Sequence, residues 1–422
     1  MAIKRWLGNA AAVSDIWTVS LSGTVVSQTY TVTINAKKIT FVAGSSDTVS
    51  TILLGLQTSL SAVSPVPPVE FTELTYAALP IGGPYTSLAM TATTAGNPVT
   101  VSVSTSGAAT FTIANTTVAT GPTFFNAAAN WSDAAAPVNN DTFVFDSGSV
   151  SCLNGLNTGL TGCTTIVEPG YAGSIGRPFI NSNNATTYAE YRTTSLTFPS
   201  GTSTASINSP SIQRCNLAFG TSTATVRILN TSMSRPDAGI PIVLISGGAS
   251  TSELDITRGD VGLAFYQGTV ATFPVVKTGY ASNALTDVSL LVGKSATLTT
   301  ITKNGGYLRL QSNVTTLTQG SSGGTVDFMD SVTATTVNAY EGAINVQTAG
   351  AIGTINAYDQ ATINFDLDPR AKVVTNPINV YSSSVTIKDA QKSVNSGTLS
   401  LNVNGATSVN VSHGANTTIV YT

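Results

Sequence analysis

The side chains that could do chemistry in this 422-residue chain are few and scattered. Its one histidine, His413, could serve acid-base work only beside a pair of carboxylates, and no two aspartates are adjacent anywhere in the sequence. The densest charged cluster is Asp359, Asp366, Asp368, Arg370 and Lys372. Two carboxylates roughly 5 to 9.5 Å apart can hydrolyse a glycoside, and Asp366 and Asp368 would face the same way on a continuing strand. Pro369 argues instead that Asp366-Leu367-Asp368-Pro369-Arg370 makes an Asx-type turn with a local salt bridge. Asp327, Asp330 and Glu341 are oxygen donors of the kind calcium takes, but their spacing matches no calcium loop. Cys152, Cys163 and Cys215 have no metal-ligand spacing and read as small buried hydrophobes with free thiols. Gly247-Gly248 and Gly323-Gly324 lack the Lys-Ser/Thr of a phosphate cradle and read as turns. Tyr171, Tyr188, Tyr191, Tyr280, Tyr307, Tyr340 and Tyr358 could line a sugar-binding face, although single exposed aromatics are ordinary. Glycosylation triplets such as Asn130-Trp131-Ser132 and Asn313-Val314-Thr315 are expected by chance in so Asn- and Thr-rich a chain. The expectation is a protein without catalytic residues, cofactor or metal.

The elements that would have to carry any such site repeat. Strand-type triplets recur as Leu308-Arg309-Leu310, Val326-Asp327-Phe328, Ile344-Asn345-Val346 and Ile363-Asn364-Phe365, at steps of 18, 18 and 19 residues. A second series runs in phase with it: Thr300-Ile301, Thr316-Leu317, Thr336-Val337 and Thr354-Ile355. A fixed period near twenty residues with two strands per repeat marks a right-handed parallel β-solenoid, whose coils are stable only when stacked. Because strand side chains alternate, Leu308, Leu310, Val326, Phe328, Ile344, Val346, Ile363 and Phe365 should form two buried columns. Irregularly spaced strand candidates carry the pattern upstream to about residue 195, and short apolar runs near the end read as flatter coils or capping strands. The whole shaft would then hold about 15 coils, on the order of 70 Å at one strand spacing per coil.

Only 9% of residues are charged, against about 25% in ordinary soluble domains. No apolar run reaches the roughly 18 residues of a membrane span. Abundant β-branched residues and a net charge of −3 oppose disorder. With 18 basic residues scattered singly, there is no footprint for a nucleic-acid backbone. Neither a membrane nor a nucleic acid is an expected partner. The opening Met1 to Asn9 lacks the apolar stretch of a secretory signal, so the chain is expected to fold where it is made.

Residues 1–122 read as a separate α+β unit, mainly β like the rest. Tyr30, Val32 and Ile34 alternate, a turn at Asn35-Ala36 leads to Ile39 and Phe41, and a helix follows with Asp47 as N-cap. Val49, Leu53, Leu56, Leu60 and Val63 share its inner face, and Pro65, Pro67 and Pro68 stop it. Further strands at 71–76, 88–92, 99–103 and 111–113 complete one small antiparallel sheet under the helix. Trp6 and Leu7 have no evident strand or helix of their own, and apolar residues at a terminus usually dock on a partner.

The segment Thr31-Val32-Thr33-Ile34-Asn35, the returning Ile39-Thr40-Phe41 and the helix Asp47-Thr48-Val49-Ser50-Thr51-Ile52-Leu53 together resemble a module of bacteriophage virion proteins. That resemblance covers about 40 residues and implies a domain that docks on other virion subunits, the major capsid protein among them. Asn130-Trp131-Ser132, Pro137, Asn140-Asp141 and Phe143-Val144-Phe145 resemble the opening coil of surface β-solenoids, with Trp131 as a plug over the open end. His413-Gly414 is similar to a pair in pectin-degrading β-helix hydrolases, whose aspartate pair is missing here. The chain is therefore expected to be a non-enzymatic virion protein, a capsid decoration or fibre-like subunit. Residues 1–122 would attach it, and residues 123–422 would project as a shaft in a homotrimer, with host surface glycans as further partners. A secreted adhesin or surface-layer protein and a polysaccharide-degrading tailspike are the alternatives.

Overall fold

In the computed structural model, residues 2–35, 37–62, 71–177, 194–235, 239–279 and 288–422 are described. Ala36, Val63, Pro65, Pro67, Pro68, Tyr188, Tyr191 and Tyr280 lie outside them. Half of the chain is strand and 5% is helix, so the mainly β expectation holds. Its principal body is a parallel β-solenoid of about 12 turns.

Two ladders of parallel strands make the shaft. In the first, Val276, Ile301, Leu317, Val337 and Ile355 are partners on successive rungs. In the second, Leu290, Leu308, Val326, Ile344, Ile363 and Ile387 follow one another, with Val292, Leu310, Phe328 and Val346 beside them. These residues and Phe365 are buried and belong to one continuous core running from Trp6 to Leu401. Parallel register stacks like on like, so each coil closes the apolar surface of the one before. There are fewer coils than the 18-residue period implies because the period is local. Thr300 partners Thr316, whereas Thr164 partners Thr204 across a much longer excursion. At one corner Gly306, Gly324 and Gly342 stack with φ of +68°, +88° and +79°. A Cβ on any of them would collide with the carbonyl of the rung before, which requires glycine there. The last strands, Thr398–Val403, Asn410–His413 and Thr418–Tyr421, continue the two ladders in parallel; they are coils and not a cap of different topology.

The division at residue 122 needs correction. Ile3–Arg5 is a strand of the shaft, pairing in parallel with Thr142 to Val144 as the rung beyond them. The chain then leaves the shaft and returns to it, and the outgoing Val13 bridges the returning Thr120. The α+β unit is thus inserted after the first rung. Asn130, fully buried, ties the two crossings. Its Oδ1 accepts from Ala10 N at 2.6 Å, and its Nδ2 donates to Gly121 O and Phe124 O at 2.8 Å each.

Within the insertion the helix Val49–Ser61 buries Ile52, Leu53, Leu56 and Leu60. Its N-cap is Thr48 rather than Asp47, in a reciprocal box with Thr51. Asp47 instead accepts from Gly44 N and the Thr51 hydroxyl. There are two antiparallel sheets, not one. Ile16–Ser22 lies between Ser87–Ala92 and Thr110–Thr117, with Leu74–Leu79 outermost, while Thr29–Ile34 lies between Lys37–Val42 and Val101–Thr105. The alternation of Trp17, Val19 and Leu21 was the signal for the added central strand.

Candidate functional site

The expected docking pair at the N-terminus separates. Trp6 is only 3% exposed; its backbone N donates to Val144 O and its Nε1 to Val150 O, both at 2.9 Å. Its ring meets Trp131 edge-on at 5.2 Å and Phe145 at 5.7 Å. Trp6 is therefore a core residue of the first coil, because Ile3–Arg5 places it over the open end of the shaft. Leu7, the next residue, remains at the surface at 44% exposure. Trp131 lies in the same aromatic cluster, 1% exposed, against Phe125, Phe143 and Phe145. Its Nε1 donates to Phe125 O at 2.7 Å, so the large ring is buried with its one polar atom satisfied. Tyr171 is also interior, packed on Phe145, and burial pushes its phenol far up.

The charged candidates are separated or paired. His413 is exposed, with Nδ1 against Gly414 O. Asp389 shares its rung position but is buried, accepting from Ser393 and Val394. The strand Ala351–Asn364 ends before Asp366. Asp368 sits in the expected turn, accepting from the Arg370 backbone N at 2.8 Å and from its Nε at 2.8 and 3.0 Å. The Arg370 guanidinium holds the Asp368 carboxyl down to about 2, which unsuits it as a proton donor near neutral pH. Asp327 accepts from the Tyr307 hydroxyl at 2.8 Å and Asn345 Nδ2 at 2.7 Å, and Asp330 pairs with Lys294 and Gln311. Among the described residues no three such ligands come together around a cation position. Burial raises all three cysteines, Cys215 to about 12, and all three are free thiols. A polar recess of about 290 Å³ lies between Glu73, Thr93, Asn97 and Arg177; its carboxylate is taken by Lys37.

One surface is built as a regular array. On the outward side of the first ladder, Thr302, Thr318, Asn338, Asn356, Asn379 and Asn402 occupy successive rungs. Their amides form a chain of hydrogen bonds: Asn356 Nδ2 to Asn338 Oδ1 at 2.8 Å, Asn379 Nδ2 to Asn356 Oδ1 at 2.7 Å, and Asn402 Nδ2 to Asn379 Oδ1 at 3.0 Å. Beside them Thr300, Thr316, Thr336 and Thr354 make a parallel column. Two residues beyond the first three of these asparagines stand Tyr340, Tyr358 and Tyr381. Their rings are stacked at 4.5 and 4.6 Å with planes 11° and 8° apart. Upstream the same column holds Arg227, Asp255 and Lys277, so its charged part ends where the threonines begin. In the sequence Tyr340 and Tyr358 read as single aromatics and Asn379 and Asn402 only as members of the short apolar runs near the end, while Tyr381, Asn338 and Asn356 carry no signal by themselves. Their signal was the common phase with the Thr-Val and Thr-Ile pairs of the repeat.

Inside the same ladder Lys303 is fully buried. Its Nζ donates to Gly323 O at 3.0 Å, and burial pulls the amine down to about 7. No protein-family model, curated protein or solved structure matches this chain.

Proposed function

We propose that the chain is a non-enzymatic structural protein of a bacteriophage virion. The inserted α+β unit would attach it to other virion subunits, such as the major capsid protein, and the solenoid would project as a homotrimer. The observation that carries this reading is the insertion itself. A compact unit with its own core leaves the shaft at its first rung and is joined to it by two crossings held at Val13, Thr120 and Asn130. That arrangement places a separate body at one end of a rod. The unpaired, buried cysteines suit folding in a reducing compartment. The polysaccharide-degrading alternative is weakened because the strand that would align Asp366 and Asp368 ends at Asn364 and Asp368 is paired with Arg370 in the turn.

Val13 and Thr120 are neighbours, so residues 14–119 can be replaced by a short glycine-serine link without stripping the first strand or Trp6 from the shaft. The shortened protein should keep its β-rich spectrum and lose co-sedimentation with particles from the native source. Full binding by the shortened protein, or none by the intact chain, would reject the reading.

A further inference from the structure

The array on the first ladder has a chemistry that nothing in the attachment role uses. From Thr302 to Asn402 its columns present hydroxyls, amides and phenols with no cationic side chain among them. The carboxylates Glu341 and Asp359 directly follow Tyr340 and Tyr358 in the chain. A surface of that kind repels polyanions and offers hydrogen bonds to a neutral partner. Each ladder amide spends one N–H on its neighbour and retains a second, so a row of donors is left at a regular interval. That interval is one strand spacing, about 4.8 Å, close to the advance per residue of an extended, β-linked hexose chain.

Size decides between a sugar chain and a second copy of the protein. Columns of six, four and three residues span at most roughly 500 Å², below the ~800 Å² per partner of a stable protein interface. Aromatic geometry decides how the chain would sit. The inner faces of the stacked rings cover one another, which leaves the phenol edges along the row and the ring of Tyr381, 40% exposed, at its end. We infer that this face, from Thr302 to Asn402 with Tyr340, Tyr358 and Tyr381 at its rim, binds a neutral, linear, β-linked polysaccharide lying along the shaft axis. The inference rests on the reading of the shaft as the projecting part of the protein.

The test uses the full chain, titrated calorimetrically with cellohexaose, chitohexaose and laminarihexaose as neutral probes and heparin as the polyanion. At least one neutral hexaose should bind and heparin should not. Tyr381→Ala, at the exposed end of the stack, should weaken binding about tenfold or more with an unchanged melting temperature. Tyr307→Phe, on the other ladder, should leave binding as it was. Failure of all three hexaoses to bind, preference for heparin, or full binding by Tyr381→Ala would overturn the inference. So would dissociation of an oligomer by Tyr381→Ala, which would make the face a contact between copies. Particle co-sedimentation is measured on the same samples. Lost or absent sugar binding with intact particle binding rejects this inference alone, whereas lost particle binding speaks to the attachment reading.

Discussion

At the scale of single residues, the shaft depends on a few side chains whose burial is fully accounted for and on one whose burial is not. Trp131 and Trp6 close the first coil with their indole N–H groups satisfied. Trp131→Ala should cost about 3–5 kcal/mol, the usual figure for a deleted core aromatic, and calorimetry should show the whole solenoid melting earlier. Trp6→Ala should do the same while leaving particle binding per folded molecule unchanged, which separates a core role from a docking role. Lys303 is the opposite case, an interior amine that among the described residues has one carbonyl partner and no acid. Its folded value of about 7 lies below the unfolded value of 10.5, so between those limits the unfolded chain holds more protons. Stability should therefore rise as pH increases from about 7 to 10.5, by up to roughly 1.4 kcal/mol per pH unit from this group. Below that window the penalty is constant. Lys303→Met should be more stable than the parent at pH 7 and should lose the rise; chemical denaturation at stepped pH measures both.

At the scale of elements, stacking in register makes neighbouring rungs act together. Asn356 both donates to Asn338 and accepts from Asn379. Asn356→Asp keeps the acceptor, removes the donor and adds a charge, so it should destabilise by about 1–3 kcal/mol, readable as a shift in the denaturant midpoint. Phe328→Asp, on the inward side of the second ladder, combines a lost aromatic with an unpaired buried charge and should strip several kcal/mol. Much of this level was legible in the sequence. The phase of Leu308, Val326, Ile344 and Ile363 disclosed the second ladder, since parallel strands stack equivalent residues and so imprint their spacing on the chain. The same logic hid the first rung. Ile3–Arg5 precedes its partner Thr142–Val144 by more than a hundred residues, so no period could disclose it, and Trp6 looked unpartnered. Two sheets in the inserted unit were read as one because alternation marks a strand but not the neighbour it pairs with. Of the candidate surface, Tyr340 and Tyr358 are legible by type, whereas Tyr381 and the asparagine ladder are uninformative until register makes their members neighbours.

At the scale of the whole molecule, about 12 turns give a rod of about 60 Å at one strand spacing per turn, with the inserted unit at its first-rung end. So weakly charged a rod has few of the lysines and glutamates that keep lone sheets apart. A closed oligomer is the usual solution, and light scattering at micromolar concentration should find a trimer rather than a monomer. The measurement that bears most directly on the attachment-and-projection account is electron microscopy of particles from the native source, with the intact chain and with the form lacking residues 14–119. The account predicts rods standing off the particle, joined to it at the inserted unit, and bare particles with the shortened form. Rods lying flat along the particle, or rods still attached without the inserted unit, would contradict it.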